Sequence, residues 1–170
     1  MGTGSPPTQW SALMAEIMVQ DYPRSFAFWT GPLGFTPAFT RPAQKLACLT
    51  RPEGAQVMIY ERDGDWETGP MDPPFGRGAV IQVYVTDASA LAAAMEAAAV
   101  AFYVPLREKW RDWGDRLGGQ REFLVQDPDG YLIMVAERIG ERPLAWTGPE
   151  APPLPASDRP LARRSRQRPA

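Results

Sequence analysis

Two short stretches of this 170-residue chain join aromatic rings to carboxylates. In DGDWETGP, Trp66 stands among Asp63, Asp65 and Glu67. In REKWRDWGDR, Trp110 and Trp113 stand beside Asp112 and Asp115. Indole faces stack on flat heteroaromatic or cationic groups, and nearby carboxylates favour positive charge. The chemistry these residue types support is recognition of a planar cation. Each tryptophan taken alone is also consistent with ordinary packing or a contact between chains. For bond-breaking chemistry the usual groups are missing, because the chain has no histidine. That removes Ser-His and Cys-His catalysis, imidazole-based zinc sites, and the two-histidine facial triad of non-haem iron. The single cysteine, Cys48, sits in the apolar run KLACLT and reads as a buried structural thiol. One cysteine permits no internal disulfide.

Composition narrows the partners. Hydrophobic residues make up 44% of the chain, and no apolar run approaches the roughly 20 residues needed to cross a bilayer. The N-terminus, MGTGSPPTQW, has neither the basic start nor the apolar centre of an export signal, so a cytoplasmic location is expected. Residues 1–140 hold 17 acidic and 12 basic side chains, a poor match to a phosphate backbone, so no nucleic-acid role is expected of this part. Residues 141–170 are rich in proline and arginine and read as a disordered tail, while residues 1–11 read as a flexible start in which Trp10 acts as an anchor.

The elements that must position these residues occur in one order, twice. A strand in ALMAEIMVQ precedes Asp21, which can cap a helix over YPRSFAFWTGPLG that ends near Gly34. Phe26, Trp29 and Leu33 form its expected buried stripe. Strands in FTPAFTR, QKLACLTR and AQVMIYER follow. After the loop 63–78, the strand AVIQVYVT precedes Asp87, which can cap the alanine-rich helix ASALAAAMEAAAV. Strands in FYVPLRE, QREFLVQ and YLIMVAE complete the second copy, the last two joined by the turn Asp127-Pro128-Asp129-Gly130. The chain is therefore read as α+β, with βαβββ modules over about 12–62 and 78–140 that share one domain, 12–140.

Three stretches, VQDYPRSFAFWTGPLGF, VYVTDASALAAAMEAAAV and REFLVQDPDGYLIM, resemble the vicinal oxygen chelate superfamily, which includes glyoxalase I, bleomycin-resistance proteins and extradiol dioxygenases. The segments GRGAVIQVYVTD and GGQREFLVQDPDGYL look most like the bleomycin-resistance branch. The resemblance implies that each module curls its sheet into half of an open cup. Metal-dependent members carry His or Glu at one inward place on each of four strands. Carried over here, those places hold Met14, Met58, Val80 and Met134. Thioether sulfur suits copper(I) and not the ions that catalyse in this family, so no metal or other cofactor is expected.

Alternation along the strands then assigns an inward set: Met14, Glu16 and Met18; Met58 and Tyr60; Val80, Gln82 and Tyr84; Leu132 and Met134. With Trp66, Trp110 and Trp113 at the mouth, helped by Phe39, this is a soft apolar lining with few polar points, the make-up of a ligand site. A closed core is the competing reading of the same side chains. The resemblance implies a metal-independent homodimer that sequesters a cationic, aromatic small molecule, as drug-resistance proteins of the branch do. Three alternatives stay open: an acid–base enzyme using Glu16 with Tyr60 or Tyr84, a lyase, isomerase or dioxygenase with atypical carboxylate ligands such as Glu16 and Glu122, and a regulatory module whose partner is held by the tail.

Overall fold

Residues 2–145 are described by the computed structural model. The expected disordered segment lies outside these residues from position 146 onward; its first residues, 141–143, belong to the final strand. The elements are β1 (Thr3–Gly4), β2 (Ala15–Val19), α1 (Tyr22–Thr30), β3 (Thr36–Arg41), β4 (Leu46–Thr50), β5 (Gln56–Glu61), β6 (Val80–Tyr84), α2 (Ala88–Ala97), β7 (Phe102–Asp112), β8 (Arg116–Gln126) and β9 (Leu132–Pro143).

Each helix starts where an aspartate can satisfy its free amides. The Asp21 side chain accepts from the Arg24 N–H at 3.0 Å, and Asp87 accepts from the Ala90 N–H at 2.8 Å. Pro23 fits the first turn of α1, where no amide donor is needed. Both helices end earlier than their sequences suggest. α1 stops at Thr30 and α2 at Ala97, and the chain turns through a left-handed Gly34 and a left-handed Ala99.

The strands form two sheets of matching topology. In the first, the order is β1-β3-β4-β5-β2, with β2 parallel to β5; in the second it is β6-β9-β8-β7, with β6 parallel to β9. The first strand of each module thus lies beside its last, as the repeated element order requires. β1 is an addition: Thr3 pairs with Thr40, so the segment read as flexible includes a short edge strand, and Trp10 meets Phe39 edge-on.

One face of each sheet carries a helix. Val19, Trp29, Ile59, Met95, Phe123 and Val135 are fully buried in a core shared by both modules. The turn between β8 and β9 joins the modules. Asp129 accepts from the Gln20 N–H and from the Ser25 hydroxyl, and Asp127 accepts from the Trp29 indole. Arg51 and Glu53 form a second bridge: the Glu53 carboxylate pairs with Arg51 and accepts from the Thr86 N–H at 3.1 Å.

The second module departs most from expectation in its hairpin. The expected strands FYVPLRE and QREFLVQ leave residues 109–119 between them, yet Lys109–Asp112 continue β7 against β8, leaving only Trp113–Asp115 to turn. The reason is Gly118-Gly119. A Cβ on Gly119 would lie 2.7 Å from the Trp110 ring, and one on Gly118 would lie 2.1 Å from Trp113. The glycines let the indoles lie flat over the strand.

Candidate functional site

The faces without helices hold most of the expected site residues. On the first sheet, ladder register sets Glu16 beside Met58 and Met18 beside Tyr60, while Cys48 and Leu46 lie on the other side of the same pair. Met14, Met58 and Tyr60 pack against a small cluster of Phe39, Leu46 and Cys48. Glu16 is exposed at the edge of this surface. The Tyr60 hydroxyl is pushed above its usual pKa, first by burial and then by the negative charges of Glu16, Asp63, Asp65 and Glu67. This wall is apolar, thioether-rich and surrounded by carboxylates. Burial also raises the pKa of the Cys48 thiol, and its fully buried side chain matches the structural reading.

On the second sheet, Gln82 stands beside Met134, and Val80 beside Leu132. Val80 and Tyr84 are about half exposed. A polar chain unforeseen in the sequence runs across this face. Glu122 is fully buried and pairs with Arg107 at 3.2 Å and with Arg111 at 2.6 Å. Arg111 also donates to the Gln120 carbonyl oxygen, and the Gln120 amide donates to the Tyr84 hydroxyl at 2.6 Å. Sequence offers Glu122 only as an atypical carboxylate ligand beside Glu16. Glu122 sits on the site face because Arg107, Lys109 and Arg111 alternate along β7 opposite Glu122, Gln120 and Gly118. Extending the period-two pattern of REFLVQ back through the glycine pair is the sequence signal that finds this network.

The aromatic residues divide. Trp66 is 83% exposed, in a loop held by an Arg62–Glu67 ion pair. Trp113 covers Gly118, with the Arg138 guanidinium over its ring, on the same side as Gln120. Trp110 lies on the opposite side, against Gly119 and beneath Arg142 at 3.9 Å, so the fold does not bring it to Tyr84 and Gln82. The acidic mouth expected of the second stretch does not form. Asp112 accepts from the Gly114 N–H to close the turn, Asp115 pairs with Arg116, and cations from the paired strands surround the rings. Trp10, read as an anchor, packs edge-on against Phe39 and so adds an aromatic edge to that cluster.

Between the modules is a cleft of about 320 Å³ whose walls include Leu13, Ala15, Trp29, Phe35, Val80 and Gln82. Of the ten expected ligand-binding residues, Gln82 alone lines it. The other expected side chains on the helix-free faces stand on open surfaces of the single chain.

At the four places that the resemblance assigns to metal ligands, the donor set does not fit a catalytic divalent ion. Met14, Met58, Val80 and Met134 offer thioether or hydrocarbon only. Among the described residues, no group of three or more His, Cys, Asp or Glu side chains is disposed to hold a metal ion. No helix among them is long and apolar enough to cross a membrane.

Residues 12–135 match the family model described as the Glyoxalase/Bleomycin resistance protein/Dioxygenase superfamily. No curated protein matches the chain. Among solved structures, TioX from Micromonospora sp. ML1 is 22% identical, with 76% of this chain and 99% of that one covered and a TM-score of 0.58. A virulence protein from Salmonella typhimurium is 18% identical over 73% and 93% of the two chains, with a TM-score of 0.54. A glyoxalase/bleomycin resistance protein/dioxygenase from Alicyclobacillus acidocaldarius is 18% identical over 76% and 92%, with a TM-score of 0.52. At these identities the likeness establishes the fold.

Proposed function

Because the chain belongs to the Glyoxalase/Bleomycin resistance protein/Dioxygenase superfamily, we propose that it binds a small molecule without a metal and acts by sequestration. The aromatic, cationic part of that molecule rests on the helix-free face of the first sheet. One observation carries this reading: Met14, Met58 and Tyr60 form a single soft surface, and Glu16, Asp63, Asp65 and Glu67 set a negative potential around Tyr60. Methionine adapts to irregular apolar shapes, and the carboxylates select positive charge. Trp66, in the same loop as Asp63, Asp65 and Glu67, supplies stacking surface. Sequestration needs no nucleophile: a bound drug cannot reach its target, and antibiotic resistance is the role this suits.

The rival acid–base enzyme is disfavoured by the same environment. Burial and carboxylates hold the proton on Tyr60, so it is a poor base at neutral pH. We also propose a homodimer. The exposed apolar side chains of Trp10, Val80 and Tyr84 on the helix-free faces suit coverage by a second copy.

The test uses untagged full-length protein. Elemental analysis after purification without chelator should find metal below about a tenth of an equivalent per chain, far under the occupancy that a built site with tight binding retains. Tryptophan quenching by planar cations should saturate, and Glu16→Gln should weaken it. One equivalent of tightly held manganese, iron, nickel or zinc would overturn the metal-independent reading. Sedimentation velocity tests the dimer.

A further inference from the structure

From the polar chain on the second sheet we infer that its helix-free face is an oxyanion-binding wall, with the Tyr84 hydroxyl as its orienting donor. The inference deepens the small-molecule reading above and rests on it: the ligand carries a carboxylate or phosphate group in addition to any cationic part.

The argument is one of hydrogen-bond direction. Glu122 is fully buried, and both its oxygens are engaged: Oε1 by Arg107 Nε and Nη2, Oε2 by Arg111 Nη2. It therefore offers no acceptor to a ligand. Its charge holds two guanidinium groups in place, so the pair of arginines is in excess by one positive charge. Arg111 Nη1 donates to the Gln120 carbonyl oxygen, which turns the amide end of Gln120 towards Tyr84. The amide then donates to the Tyr84 oxygen at 2.6 Å. With its oxygen accepting, the Tyr84 hydroxyl proton is free to point outward, from a side chain that is 46% exposed.

What this face presents to solvent is donors. Arg107 Nη1 and Arg111 Nε have no hydrogen bond among the described residues, and the two side chains are 22% and 31% exposed. Lys109 alternates between them, opposite Gln120, and forms no ion pair among the described residues. Donors and positive charge held by a buried carboxylate match the lone pairs of an oxyanion, and a cation would find no partner here. The two helix-free faces thus have opposite electrostatic character, carboxylates around Tyr60 on the first and guanidinium and ammonium groups on the second.

The experiment is a ¹⁵N–¹H NMR titration of the full chain with phenyl phosphate, benzoate, neutral benzyl alcohol and the planar cation proflavine. Phenyl phosphate or benzoate should shift the Arg107 and Arg111 Nε–H signals and the amides around Tyr84 and Lys109, with benzyl alcohol silent there. Whichever of the two anions binds more tightly names the phosphate or carboxylate source. Tyr84→Phe deletes one hydroxyl from an exposed ring, and Lys109→Gln removes one partly exposed charge that has no ion-pair partner among the described residues, so both variants should fold. Each should weaken the anion by roughly tenfold, the scale of one hydrogen bond to a charged group. The proposal is overturned if neither anion shifts these signals, or if both variants bind like the parent. Proflavine shifts at Glu16 and Tyr60 without anion binding would sink the wall and leave sequestration standing. Anion shifts without proflavine binding would support the wall and remove the cationic reading.

Discussion

The Ser25 hydroxyl on α1 donates to the Asp129 carboxylate in the β8–β9 turn at 2.8 Å, across 104 residues of sequence. Both groups are buried, and each lies in a different module. The bond therefore holds module to module. Ser25→Ala should cost about 1–3 kcal/mol, because Asp129 keeps its burial and loses a donor. Urea unfolding followed by circular dichroism should show a lower midpoint with an unchanged slope.

The neighbouring carboxylate gives stability a pH dependence of unusual sign. Burial pushes Asp127 up to about 6, although the Tyr131 and Asp129 amides and the Trp29 indole all favour its ionised form. Its folded pKa lies above its unfolded value, so its contribution is fully present below about pH 4 and lost as pH rises through about 6. Stability should increase between pH 7 and pH 4.5 by about 2 kcal/mol, most of the roughly 3 kcal/mol that the whole shift represents at 1.36 kcal/mol per unit. Asp127→Asn should flatten that slope. A parent profile as flat as the variant's would refute the assignment.

Glu53 works in the opposite direction at lower pH. Burial raises its pKa, but the Arg51 hydrogen bond, backbone donors including Thr86, and the Arg51 charge outweigh this and bring it to about 2. Its contribution is present above the unfolded value near 4.5 and is lost as pH falls towards 2. Glu53→Gln should remove much of the acid limb of the stability profile, measured by thermal melts from pH 5 to pH 2.

Glu122→Gln tests the buried ion pairs. The two arginines are partly exposed and can rehydrate, so the expected loss is about 2–4 kcal/mol, at the lower edge of what breaking a buried pair costs. Chemical denaturation measures it. A change under about 0.5 kcal/mol would mean that the network is no stronger than a surface pair.

Gly118→Ala places a methyl 2.1 Å from the Trp113 ring, so the indole must lift from β8 and leave Arg138. Its fluorescence should shift to the red with little loss of helix signal. An unchanged spectrum would show that Trp113 does not lie over the strand in solution.

Much of the architecture is legible in one dimension. Asp21 and Asp87 stand where helix amides need an acceptor, alternation marks the strand faces, and the repeated element order implies two like modules. These are local rules, set by residues a few positions apart. The same locality places Met14, Glu16, Met58 and Tyr60 on one face, and Gln82, Tyr84 and Met134 on another, since a strand's side chains alternate whatever it pairs with.

What needed the folded chain were pairings between distant residues. The role of Gly118-Gly119 shows only when Trp110 and Trp113 lie across it, and that contact extends the paired strands beyond their expected ends. It also splits the two indoles between opposite faces and sets Arg107 and Arg111 against Glu122, replacing an expected acidic mouth with a basic wall. Charge type is written in each residue. Which charges cancel depends on register, and register is a property of the paired strands rather than of either alone.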